Sequence, residues 1–171
     1  MVETAVKDRA AGQKSSVETA KPLFVDCLRL IERMHRRMLD VIKVELDQRG
    51  IGDINSVQAL LIYNIGDQEV TAGELRSRGY YTGSNVSYNL KKLVETGYIE
   101  HQRAQHDRRA VRVRLSDKGL EICRLLNETF AGQTEEILSH QVLDEDGMAG
   151  ALRTLKDLER FWADKIRFIE F

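Results

Sequence analysis

Between Glu69 and Gly119 the chain runs through a helical stretch, a turn, a second helical stretch and two strand-like runs, an order few folds can use. The helical stretches are AGELRSRG and SNVSYNLKKLVETG; the strand-like runs, YIEHQRA and AVRVRLS, are parted by the polar turn QHDRR. Thr71 stands where the first helix needs an N-cap, and Glu74 follows at capping-box spacing. Glu69 and Val70 form a short strand before it, Gly79 ends the helix, and Tyr80 to Gly83 make the turn. Helix, turn, helix and hairpin in this order predict a winged helix-turn-helix, whose second helix enters a DNA groove.

The second helix has the two faces this job needs. At 100° per residue, Val86, Leu90, Leu93 and Val94 share the side that packs inward. The opposite side holds Ser84, Asn85, Tyr88, Lys91 and Lys92, with Ser87 and Asn89 on the flanks. Small and hydrogen-bonding groups near the N-terminus suit base edges, and lysines further along suit phosphate. Asn85 and Tyr88 are therefore expected to meet bases. Thr82, Ser84, Ser87 and Lys91 are expected to make mixed or phosphate contacts.

In the hairpin, Val111, Val113 and Leu115 alternate with polar positions, and Arg103, Arg108, Arg109, Arg112 and Arg114 crowd the rest. Period two with alternate cations predicts one apolar face and one basic face. Asp107 reads as a tether that orients Arg109 through charge-assisted hydrogen bonds. Arg108 is then left to reach a minor groove, where narrow A·T-rich stretches attract guanidinium. From Arg76 to Arg114 nine cations face three acids, a net +6, while the remaining residues carry −7. Such a division marks a polyanion-binding face on an acidic body.

The flanks look like assembly machinery. A polar stretch over residues 1–18 predicts a mobile tail, and Pro22 suits the first turn of a helix. From Leu23 to Leu46 apolar residues recur at spacings of three and four, up to Gly50, a good C-cap residue. A second helix, SVQALLIYNIG, follows a cap at Asn55 or Ser56, with Val57, Leu60, Leu61 and Ile65 as its core face. Beyond the hairpin, Ser116 caps a long helix to about His140, and Asp144 starts a last one. Leu23, Phe24, Leu155, Leu158, Phe161, Trp162, Ile166 and Ile169 are more apolar surface than one small module covers, and are expected between subunits. The expected architecture is mainly α with a small β-hairpin. Residues 51–116 form the winged lobe, and 19–50 with 117–171 form a helical dimerisation region.

Two motifs carry a family resemblance. Asp107, Arg109, Ala110, Val113, Leu115, Ser116 and Gly119 fit D-x-R-(A/S)-x-x-V-x-L-(S/T)-x-x-G, and Leu93, Gly97, Tyr98 and Ile99 fit L-x-x-x-G-(F/Y)-(I/V). Over about residues 22–169 the chain resembles the multiple antibiotic resistance regulator (MarR) family of bacterial transcription factors, and within it an alphaproteobacterial branch that includes regulators of L,D-transpeptidase genes. The resemblance implies a cytoplasmic, nucleoid-associated homodimer on a pseudo-palindromic double-stranded operator, read by Ser84–Lys92 with Asp107–Arg109 as wing tip. It also implies a small aromatic or phenolic effector between the dimerisation helices and the DNA-binding lobe. Met34, Met38, Tyr63 and Leu125 are the candidate lining, although Met and aromatic stripes at helical spacing are more often plain core.

Other chemistries find no support. Cys27 and Cys123 fit no metal or disulfide spacing and read as small buried apolar residues. His35, His101, His106 and His140 fit no metal pattern, and neither a phosphate loop nor a nucleophile elbow is present. No cofactor, metal, enzymatic activity or membrane span is expected. The alternative to a DNA reader is a winged helix that docks an acidic protein partner through its basic hairpin.

Overall fold

The structure, a computed structural model of a single chain, describes residues 2–77, 83–103 and 111–169. Helix α1 runs from Val2 to Gln48 with Pro22 inside it, so the N-terminal residues are helical rather than the expected tail. The stretch before Pro22 is rich in Ala, Lys and Glu, all strong helix formers, and their summed propensity offsets the one backbone hydrogen bond that proline removes. The helix closes at Gly50, whose φ of 69° lets the Ile51 amide reach back 3.0 Å to the Leu46 carbonyl.

Helix α2, Ser56–Ile65, starts on Asn55, whose side chain accepts from the Gln58 amide while the Gln58 side chain accepts from the Asn55 amide. Its buried face is Gln58, Ala59, Leu61, Ile62 and Ile65, whereas Val57 and Leu60 are half-buried. Three-four spacing alone does not separate these neighbouring sectors of one short apolar helix.

Strand β1, Val70–Thr71, leads directly into α3, Ala72–Ser77, and Thr71 and Glu74 cap each other as the spacing predicts. Helix α4 is Gly83–Glu95; β2 is Ile99–Arg103 and β3 Val111–Leu115. The sheet is antiparallel in the order β1-β3-β2, with Val70 opposite Val113, and Ile99 opposite Leu115. Helix α5, Asp117–Ser139, is capped by Ser116, and α6, Glu145–Ile169, by Asp144, whose carboxylate accepts from the Gly147 amide at 2.8 Å.

The chain divides into two compact units, Met1–Cys123 and Arg124–Phe171, so the boundary falls inside α5. In the first unit the end of α1 packs on α2, with Ile42 and Leu46 buried, and Ser116, just before α5, donates to the Gly97 carbonyl just after α4. In it α3 packs on α4, and both meet the sheet. Among the described residues no helix is long and apolar enough to cross a membrane.

Candidate nucleic-acid interface

Val86, Leu90 and Leu93 are buried, and with them one side of α4 is committed to the lobe. Tyr88 is 69% exposed on the other side, where Ser87, Lys91 and Lys92 are exposed too. An aromatic ring held in water beside two lysines is a contact surface waiting for a partner. Glu95 stands 3.9 Å from the Lys91 ammonium and 4.0 Å from that of Lys92, loose pairs that phosphate can displace. Ser84 and Asn85 lie in the first turn of α4, but their side chains are outside the described residues, as is all of Thr82.

Asn89 is a correction. It is 8% exposed and engaged within the lobe, so it is not on the reading face. Asn89 stands 40° beyond Leu93 on the helical wheel, just outside the apolar sector and close enough for the lobe to cover it.

The hairpin keeps the expected alternation: Val113 and Leu115 are buried, and Arg112 and Arg114 are exposed. Its cations are not equivalent. Arg114 forks onto the Glu100 carboxylate across the strand pair, at 2.8 and 3.1 Å, while Arg112 lies opposite Gln102. A guanidinium held by its own carboxylate is a poorer phosphate ligand, so of these two hairpin arginines Arg112 is the more available. Arg103 ends β2, with its side chain outside the description; Asp107, Arg108 and Arg109 lie outside it altogether.

At the base of α4 the structure assembles a cluster that sequence reading missed. Gly97, with φ 79°, ends the helix, and the Tyr98 amide returns to the Leu93 carbonyl at 2.9 Å. Ser116 Oγ donates to the Gly97 carbonyl at 2.6 Å, and the Ser116 amide donates to the Tyr98 carbonyl at 3.0 Å. The Lys118 ammonium donates to Asp53 Oδ2 at 2.6 Å and to the Thr96 carbonyl at 3.1 Å, and lies 4.0 Å from the centre of the Tyr98 ring. The Tyr98 hydroxyl donates to Asp53 Oδ1 at 2.7 Å. Asp53 is 45 residues from Tyr98 and 65 from Lys118, beyond any local periodicity.

Hydrogen bonding from Lys118 and then from Tyr98 holds the Asp53 carboxyl below its ordinary range, and the same Asp53 bond raises Lys118. Tyr98 is raised mainly by burial. A lowered carboxylate stabilises the fold above its unfolded value, ~3.9, and that contribution fades as pH falls through the folded value. The raised lysine contributes below ~10.4 and fades as pH rises past it. The pair is half exposed, so its contribution is about 0–1 kcal/mol. Asp53→Asn should therefore cost that amount at neutral pH, and the difference should close below about pH 4. Urea midpoints against pH check this, and a gap that stayed constant to pH 2 would contradict it.

Met34 is 58% exposed on α1 and Met38 half-buried one turn later; Tyr63 is half-buried on α2, and Leu125 is buried on α5. A cleft of about 360 Å³ on α1 is lined by Arg33, Arg36, Arg37, Leu39 and Asp40, and includes neither methionine. Of the residues expected between subunits, Leu23, Phe24, Leu155, Phe161, Trp162 and Ile166 are exposed in the single chain and Leu158 is half-buried. Ile169 ends α6, its side chain undescribed. The cysteines are less buried than expected: Cys27 is exposed and Cys123 intermediate. Burial, and then Asp67, raise the Cys123 thiol, the direction opposite to activation.

Residues 54–119 match the model of a winged helix DNA-binding domain. The exopolysaccharide II synthesis transcriptional activator ExpG of Rhizobium meliloti is 38% identical over 145 residues, covering 85% of this chain and 74% of that one. Streptococcus pneumoniae FabT, solved in complex with DNA, is 26% identical with a TM-score of 0.67, covering 82% of this chain and 98% of that one. The chain belongs to the MarR family. A mutant E. coli MarR solved with operator DNA shares the fold, at 23% identity and a TM-score of 0.63, covering 79% of this chain and 94% of that one. This MarR-family chain is a DNA-binding transcriptional regulator rather than an enzyme.

Proposed function

We propose that this regulator works in the cytoplasm as a homodimer on a pseudo-palindromic operator, each subunit placing α4 in a major groove and its wing against the flanking minor groove. The observation that carries the reading is the division of α4, with Val86, Leu90 and Leu93 buried while Tyr88, Lys91 and Lys92 face water. Asn85 and Tyr88 meet bases. Thr82, Ser84, Ser87, Lys91, Lys92, Arg103 and Arg112 hold phosphate or mixed contacts, while Asp107 tethers Arg109 and Arg108 grips the minor groove. The exposed apolar residues of α1 and α6 make the subunit contacts. A small aromatic or phenolic effector, held near Met34, Met38, Tyr63 and Leu125, shifts DNA affinity only if it prefers one spacing of the two readers over another.

Binding to a selected duplex and to a random one, each measured against salt, tests the reading. Both affinities should fall steeply, with the selected duplex ahead by ~10³ or more. Equal affinities would leave only a nonspecific basic surface, as a protein-docking module would have. Single substitutions separate the roles. Lys91→Ala should weaken both duplexes alike and reduce the salt slope by about 1, whereas Asn85→Ala should relax base preference at one position of the site by about 1–3 kcal/mol. An unaltered base profile for Asn85→Ala would remove that residue from the reading face.

A further inference from the structure

The reading face is only as accurate as the support of the helix that carries it. Helix α4 spans 13 residues, so its two ends are about 20 Å apart. A tilt of about 5° about its C-terminal end moves its N-terminal end by about 1.7 Å, enough to break a base contact. That C-terminal end is where Thr96, Gly97 and Tyr98 are tied to the start of α5 through Ser116 and Lys118. Asp53 adds a third segment, the loop between α1 and α2, with each of its carboxylate oxygens taking one donor. Breaking the Asp53 bonds removes the tie between the foot of α4 and the α1–α2 loop, leaving the ties to α5 and the packing on α3 and β2.

We infer that Asp53 is a positioning residue for DNA reading: with Lys118 and Tyr98 it clamps the foot of α4 to both α5 and the α1–α2 loop, and so fixes the distance between the two readers of a dimer. This rests on the homodimeric reading proposed above. The clamp acts at a distance from DNA, on spacing rather than on any base. No described side chain of α4's outer face takes part in it.

The test uses the full-length protein, a duplex that the wild type selects from a random pool, and the same duplex with one base pair inserted between its halves. The wild type should lose at least ~100-fold on insertion, since a one-base-pair step displaces and rotates one half-site relative to the other. Asp53→Asn should weaken binding to the selected duplex and shrink the insertion penalty by roughly tenfold. Lys118→Met should do the same, and the double variant should resemble either single one, because the pair acts as a unit. A residue that only stabilised the fold would lower affinity for both duplexes by one factor and leave the ratio unchanged; that result overturns the clamp. Additive losses in the double variant overturn it as well. If the wild type selects no two-half site, the homodimeric reading fails first, and the clamp with it.

Discussion

Gly119→Ala should destabilise the first unit by about 1–3 kcal/mol, at the upper end for a single methyl. A methyl at Gly119 would be driven into the Tyr98 carbonyl oxygen, well inside van der Waals contact, with Leu115 side-chain atoms 3.2 and 3.3 Å away. Relief is hard to find, because that carbonyl accepts the Ser116 amide and belongs to the turn that closes α4. Either α5 moves off the sheet or the foot of α4 shifts. Urea unfolding by far-UV circular dichroism measures the loss, with Gly52→Ala as the comparison. Nothing lies within 4 Å of a Cβ at Gly52, and its change should stay within about 0.5 kcal/mol. A Gly119→Ala midpoint equal to that of Gly52→Ala would mean that the close approach of α5 to the α4–β2 junction is absent in solution.

Removal of residues 161–171 should convert the protein to monomers in sedimentation velocity and weaken binding to its operator by about 10²–10⁴. The removed segment includes Phe161, Trp162 and Ile166, which are exposed in the single chain. Covering a large apolar side chain is worth about 1.5–3 kcal/mol, and in a two-fold interface each residue counts twice. The fall in affinity follows from linkage rather than from lost contacts: once one α4 is seated, a dimer presents the second at high effective concentration. A truncated chain that sedimented as a stable dimer would place the subunit interface elsewhere.

Much of this was legible in the sequence because the residues involved act locally. Thr71 with Glu74, Asn55 with Gln58, Ser116 and Asp144 are caps, and each is written within four residues of what it caps. The two family motifs also acquire physical reasons. Leu93, Ile99, Val113 and Leu115 are core, Gly97 supplies a positive φ, Ser116 is both cap and strut, and Gly119 makes room for the Tyr98 carbonyl. What sequence left hidden depends on three dimensions. Asn89 flanks the apolar sector, and only the packed lobe shows that it is covered. Arg114 loses its freedom to a Glu100 that only strand register reveals. Asp53 matters through partners 45 and 65 positions away, and Val2–Ala20 turned helical on propensity alone, without the apolar period that marked the rest of α1.

In the proposed function two copies of α4, held at a fixed distance, read two halves of one site. Selection of bound sequences from a random duplex pool by the full-length protein tests it most directly. The expected result is a motif with two-fold symmetry whose halves are centred one helical turn apart, about 10–10.5 base pairs. A pool that showed no enrichment, or converged on a single unpaired half-site, would contradict it.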